Sequence, residues 1–297
     1  MEHLIEISQL SRQDIESLLE RALFFKQSSD YPSFSKHTVA NLFYENSTRT
    51  RVSFELAANH LSMPVVNLDL QSSSEAKGEI IEDTIKTLAA MGIRYFVVRH
   101  KETGLQQNLA NALGPDIHII NAGDGTHAHP SQALLDMMTI IEQKPQLNQL
   151  KIAVLGNIRH SRVANSFQCI CAALGVGELV LISPDSWQPQ QVHYGRVTNN
   201  IQDGLTDADI VMCLRVQKER FKDDEHIDLA TYRRDFALTK KTLSNAKPNA
   251  IVMHPGPMNR GIEIDSEVAD GPQSVILQQV ANGVFARMAI FENLAKR

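Results

Sequence analysis

The stretch Glu45-Asn46-Ser47-Thr48-Arg49-Thr50-Arg51 follows an apolar run at 38–43 and leads into a helical pattern starting near Thr50. Hydroxyl residues there can simply cap a helix. Two arginines at a helix N-terminus fit capping alone badly, because the positive end of the macrodipole repels them. A bound oxyanion removes the conflict, taking bonds from backbone N–H groups, hydroxyls and a guanidinium. Neither a Walker A sequence nor a GxGxxG turn after a strand occurs, so a nucleotide is not the expected ligand. Phosphate or carboxylate is.

Further clusters have the same placement after apolar runs. Gln71-Ser72-Ser73-Ser74-Glu75-Ala76-Lys77-Gly78-Glu79 is a Ser-rich loop on which Lys77 could offer a mobile charge to an anion. Arg99-His100 closes the run 94–98, where the arginine either pairs with an acid or faces that anion. In Asp124-Gly125-Thr126-His127-Ala128-His129-Pro130-Ser131-Gln132 the His-x-His invites a metal reading, but no further ligand set stands at a defensible spacing. A hydrogen bond from His129 to a substrate oxygen is favoured, with Pro130 suited to the first helical turn. The second half adds Gly156–Arg162, Leu214–Arg220 and His254–Gly261, each after an apolar run. Any of these alone could be a solvated turn. Together they put arginines after strands in both halves, as a cleft for two anionic small molecules would require.

The elements that must position these residues read as alternating strands and helices. Strands are expected at 38–43, 64–68, 94–98, 117–120, 151–155, 178–182, 209–214 and 250–253, rich in Val and Ile and without strict alternation, as in strands buried on both faces. Helices are expected near 12–27, 49–61, 80–91, 103–113, 131–143, 162–174 and 272–296. The pattern predicts an α/β protein of two doubly wound parallel-sheet domains, about four strands in each. A break near 144–150 divides them into 1–145 and 146–274, with a helix at about 275–297 crossing back to pack on the first domain.

The 297-residue chain carries 29 Lys and Arg against 34 Asp and Glu, a formal charge of −5. This balance argues against a nucleic-acid binder relying on bulk positive charge, yet leaves cations enough for a local basic pocket. The N-terminus is acidic where a signal peptide would be basic, and no run approaches the ~20 apolar residues of a membrane span. Cys169, Cys171 and Cys213 form neither a disulfide framework nor a CxxC pair, and read as reduced thiols of a cytoplasmic protein.

FYENSTRTRVSFE, the Lys-Gly-Glu after a Ser-rich loop, VVRH and HPSQALLD, in this order, resemble the carbamoyltransferases over nearly the whole chain. Arg215-Val216-Gln217-Lys218-Glu219-Arg220 and His254-Pro255-Gly256-Pro257 resemble the aspartate branch; the Ser-Met-Gly loop and His-Cys-Leu-Pro segment of the ornithine branch are missing. Charge logic agrees independently: aspartate brings two carboxylates for Arg162 and Arg215, whereas ornithine brings a second amine.

The resemblance implies carbamoyl transfer to L-aspartate, the committed step of de novo pyrimidine biosynthesis, with no cofactor and no metal. Ser47, Thr48, Arg49 and Thr50 would hold the phosphate of carbamoyl phosphate. Thr50, Arg99 and His129 would contact its carbonyl oxygen, and Gln132 its amide nitrogen. Arg162 would bind the aspartate α-carboxylate, and Arg215 with Gln217 the β-carboxylate. The backbone at Gly256 and Pro257 would face the reacting groups. Ser73 and Lys77 resemble a loop donated by a neighbouring subunit, which implies a homotrimer with shared sites. Glu45 resembles the residue that pairs with Arg162 and Arg220 on domain closure. Three departures stand out: Arg159, His160 and Gly256 occupy positions held by lysine, tyrosine and leucine in other members. Regulatory or dihydroorotase-like partner chains are left open, as are a zinc hydrolase using His127 and His129 and a non-catalytic binding protein.

Overall fold

A computed structural model describes residues 1–68, 79–217 and 228–296. The chain starts with α1 (Arg12–Gln27), closed at its N-terminus by a reciprocal capping box in which the Asp14 N–H donates to Ser11 Oγ and the Ser11 N–H donates to Asp14 Oδ2. Its buried face, Ile15, Leu18, Leu19, Ala22 and Phe25, recurs at helical spacing. There follow β1 (Val39–Phe43), α2 (Thr48–His60), β2 (Val65–Asn67), α3 (Ile81–Ala90), β3 (Tyr95–His100), α4 (Leu105–Ala112), β4 (His118–Asp124) and α5 (Pro130–Gln143). The second run comprises β5 (Lys151–Leu155), α6 (Arg162–Leu174), β6 (Glu178–Ile182), β7 (Arg196–Thr198), α7 (Ile201–Leu205), β8 (Ile210–Cys213), α8 (Leu229–Phe236), α9 (Lys240–Leu243), β9 (Ile251–Met253) and α10 (Ser266–Ala269). Helix α11 (Ile276–Ala295) is last.

Contacts divide the chain into two units, one of residues 1–138 with 281–297 and the other of residues 139–280. The crossings lie inside α5 and α11, at 138/139 and 280/281, rather than in the connecting segment near 144–150 or at 274/275. In the first unit all strands run parallel in the order β2-β1-β3-β4. Buried Ala40, Leu42, Phe96, Val98 and Ile119 form its core with Ile85 and Leu109 from α3 and α4. Each such side chain contributes about 1.5–3 kcal/mol on burial.

The second unit has five parallel strands in the order β7-β6-β5-β8-β9, one more than expected. The additional strand, β7, is three residues long and begins with exposed Arg196, so its apolar signal is almost nil. The core of this unit packs Ala153, Leu155, Val180, Ile182, Val211 and Val252 against Leu205, Leu243 and Val268. Among the described residues no helix is long and apolar enough to cross a membrane. The three cysteines are free thiols, Cys171 and Cys213 buried and Cys169 half-buried.

Candidate active site

In the first unit β1 connects outward to β2 on one side, while β3 and β4 extend the sheet on the other. The order therefore reverses between β1 and β3, and in parallel sheets ligands bind beyond the strand ends at such a point. Residues 44–50 leave β1 there. Ser47 is the N-cap of α2 with φ −157° and ψ 88°, but its side chain makes no capping bond, and the first turn holds no acid. A helix N-terminus so presented, with Arg49 exposed and Thr50 buried beside it, is suited to an anion. Arg99 stands opposite Phe43 in the ladder, and its carbonyl accepts from the Tyr44 N–H at 2.9 Å. Its guanidinium donates to the Ala122 carbonyl at 3.3 Å and lies 3.2 Å from the Glu45 carboxylate. Glu45, expected at Arg162 and Arg220, thus has Arg99 as a neighbour.

Beyond β4 the backbone turns at Gly125, whose φ of +46° favours glycine and whose N–H donates to the His100 carbonyl at 2.9 Å. Burial, chiefly, pushes the His100 imidazole below its usual range. The turn delivers His129, buried, to the start of α5, where its carbonyl accepts from the Gln132 N–H at 3.1 Å. The Gln132 side-chain NH2 donates to Asp136 Oδ1 at 2.8 Å, so its acceptor end is the one suited to a ligand N–H. His127 goes elsewhere: exposed, its Nε2 lies 2.7 Å from Glu6 Oε1, and that hydrogen bond holds its pKa above the usual 6.5. The two histidines therefore do not form one ligand pair. Among the described residues no group of three or more His, Cys, Asp and Glu could hold a metal ion.

Arg287, on α11, ties these two helices together from behind. Its guanidinium donates to Ser53 Oγ of α2 at 2.9 Å, to Ser131 Oγ of α5 at 3.4 Å and to the Gly283 carbonyl at 2.9 Å, and it lies 4.7 Å from the centre of the Phe54 ring. Burial, opposed by Asp136, pulls its pKa down to about 9, which still leaves it charged at neutral pH.

In the second unit the sheet order reverses between β5 and β8. Gly156, just past β5, has φ +137°, and a Cβ there would come within 2.6 Å of the Leu214 carbonyl oxygen. Only glycine lets the two strand ends approach so closely. Ser161 caps α6 by accepting from the Ala164 N–H at 3.2 Å, and Arg162, buried, is the first helical residue. Arg215 and Gln217, both half-buried, follow β8. After β9, His254 Nδ1 accepts from the Gly256 N–H at 2.8 Å, which puts the ring proton on Nε2, facing Glu263 Oε1 at 3.3 Å. Gly256 and Pro257 are joined by a cis peptide bond.

Ser73 and Lys77, with the rest of 69–78, and Arg220, with the rest of 218–227, lie outside the described residues. Unforeseen in the sequence are the contacts of Asp136, Gly156 and Asn259, which stand within motifs singled out above, and the residues Arg287 and Glu263 altogether. The four-residue spacing of Gln132 and Asp136 on a helix was the available signal for the first. The others depend on contacts between segments distant in sequence.

The profile for the aspartate/ornithine carbamoyltransferase carbamoyl-P binding domain matches residues 2–142, and that for the Asp/Orn binding domain matches residues 148–294. The chain belongs to the aspartate/ornithine carbamoyltransferase family. Within it, the chain is 74% identical over 294 residues to an aspartate carbamoyltransferase catalytic subunit of Legionella pneumophila (strain Corby), covering 99% of each chain. It is 47% identical to the corresponding subunit of Coxiella burnetii (strain Dugway 5J108-111), covering 98% of this chain and 95% of that one. Among solved structures, Trypanosoma cruzi aspartate transcarbamoylase in complex with carbamoyl aspartate and phosphate superposes with a TM-score of 0.89 at 28% identity, over 97% of this chain and 94% of that one. Pyrococcus furiosus ornithine carbamoyltransferase gives 0.86 at 26% identity, over 97% and 95%. The carbamoyltransferase fold alone therefore does not separate the two branches.

Proposed function

We propose that the chain is a catalytic chain of aspartate carbamoyltransferase, joining carbamoyl phosphate and L-aspartate to give N-carbamoyl-L-aspartate and phosphate, the committed step of de novo pyrimidine biosynthesis. The observation that carries the branch is the 74% identity, over 99% of both chains, to an aspartate carbamoyltransferase catalytic subunit. Charge supports it independently: Arg162 and Arg215 follow the adjacent strands β5 and β8, two cations for two carboxylates.

In this reading the N-terminus of α2, with Ser47, Thr48, Arg49 and Thr50, holds the phosphate. The aspartate amine attacks the carbamoyl carbon, forming the N–C bond as negative charge grows on the carbonyl oxygen. Thr50, Arg99 and His129 stabilise that oxygen as hydrogen-bond donors, each such donor being worth about 2.7–4 kcal/mol. Gln132 Oε1 accepts from the carbamoyl NH2, its own NH2 being committed to Asp136. The C–O bond to phosphate then breaks, and the departing phosphate takes the amine proton, so no protein base is required. Aspartate must attack as the free amine, and the dense positive charge lowers the pKa of that amine. Arg162 holds the α-carboxylate; Arg215 and Gln217 hold the β-carboxylate. The backbone at Gly256 and Pro257 faces the reacting groups.

The active form is a homotrimer in which Ser73 and Lys77 of one chain complete the site of another. An apolar pair on the exposed side of α2, Val52 and Leu56 (43% and 44% exposed), supports self-association close to the phosphate loop. The free thiols suit a cytoplasmic, reducing compartment.

An assay with carbamoyl phosphate against aspartate and ornithine in parallel tests the function. Release of phosphate and N-carbamoyl-L-aspartate with aspartate alone is expected; turnover of ornithine in preference to aspartate would overturn the assignment.

A further inference from the structure

Val216 sits between Arg215 and Gln217, and its peptide is held on both sides by one distant segment. Its N–H donates to Glu263 Oε2 at 3.4 Å, and its carbonyl accepts from Asn259 Nδ2 at 3.1 Å. Its side chain is fully buried against Trp187 and Tyr232. Glu263 is itself 0% exposed, a carboxylate whose position is set by several donors. Its Oε1 accepts from the Asn259 N–H and faces His254 Nε2 at 3.3 Å, and its carbonyl accepts from the Leu238 N–H at 2.9 Å. A buried carboxylate is costly unless its lone pairs are occupied, so this arrangement has one low-energy geometry rather than several. The loop after β8 is thereby held in register with the loop after β9.

We propose that Glu263 and Asn259 are positioning residues for the amino-acid substrate: they clamp the Val216 peptide, and so fix where Arg215 and Gln217 meet the β-carboxylate without touching it themselves. The inference rests on the aspartate reading of Arg215 and Gln217. A displacement of about one ångström in a positioning group can cost on the order of 10²-fold, which makes the clamp a determinant of how well the amino acid is held.

The test uses Asn259→Ala, Asn259→Asp and Glu263→Gln in the full chain. Asn259→Asp nearly preserves volume but replaces the donor to the Val216 carbonyl with an acceptor, so a space-filling role would leave it like wild type. The clamp predicts a KM for aspartate raised roughly three- to tenfold by Asn259→Ala, about the worth of one net backbone hydrogen bond, and more by Asn259→Asp. The KM for carbamoyl phosphate stays within about twofold. A second readout needs no turnover: Trp187, the one tryptophan of the chain, packs on Val216, and its emission should shift to the red in the Asn259 variants. Unchanged aspartate KM and unchanged emission in Asn259→Asp, or equal rises in both KM values, would overturn the clamp. A red shift without any aspartate turnover by the wild-type chain would leave the clamp standing and sink the aspartate reading instead. If Glu263→Gln fails to fold, the two Asn259 variants decide alone.

Discussion

At the scale of single residues, the first turn of α2 carries the heaviest electrostatic demand. It has Arg49 and Arg51 where the macrodipole is positive, no acid within that turn, and an N-cap serine that forms no capping bond. That end of the macrodipole favours a bound anion, and in the proposed reading phosphate takes that place. Arg49→Ala should therefore lower kcat/KM at least 10²-fold, equivalent to about 2.7 kcal/mol or more. Near-normal kcat/KM in steady-state assays would remove Arg49 from the phosphate site. These residues were legible in the sequence because they follow a buried strand directly, where chain connectivity alone fixes their place. Glu263 was not legible, and Asn259 was visible only as a member of the His254–Gly261 cluster. Their partner, Val216, lies more than forty residues away, and nothing in the local spelling announces it.

At the scale of elements, all strands but β7 were readable because runs such as KIAVL and ELVLI are largely apolar on both faces. Four short helices, α7 to α10, were missed; α7, α9 and α10, of four or five residues, are too short to establish a 3.6-residue period. The long helix α11 was expected, but its buried cation was not. Arg287 connects the helix bearing the phosphate loop to the helix headed by His129, through Ser53 and Ser131. Arg287→Met keeps most of the volume, loses three hydrogen bonds and leaves the charge of Asp136 without its compensating cation. We expect about 3 kcal/mol of lost stability in denaturant melts. The KM for carbamoyl phosphate should rise more than that for aspartate, because both tethered helices belong to the first unit. A stable variant with unaltered kinetics would show that the tether is dispensable.

At the scale of the whole molecule, the net charge of −5 gives no hint of the arginines proposed to bind the substrates, because acids outnumber bases in the total. The proposed trimer with shared sites makes a sharp prediction. Chains carrying Lys77→Ala and chains carrying Arg49→Ala, each inactive, should recover activity when mixed and exchanged. Random assembly at equal ratio gives one intact site in each mixed trimer, about a quarter of wild-type turnover. No recovery after verified exchange would count against sharing. The division of the chain has a consequence for its birth on the ribosome. Residues 1–138 emerge well before residues 281–297, with which they form one unit. At 5–20 residues per second the early segment waits roughly 7–30 s for the helix that brings Arg287 and Phe291. The middle unit, synthesised later, can finish folding sooner. The unit begun before the middle one is completed after it, and for that interval Phe54 lacks its ring partner Phe291.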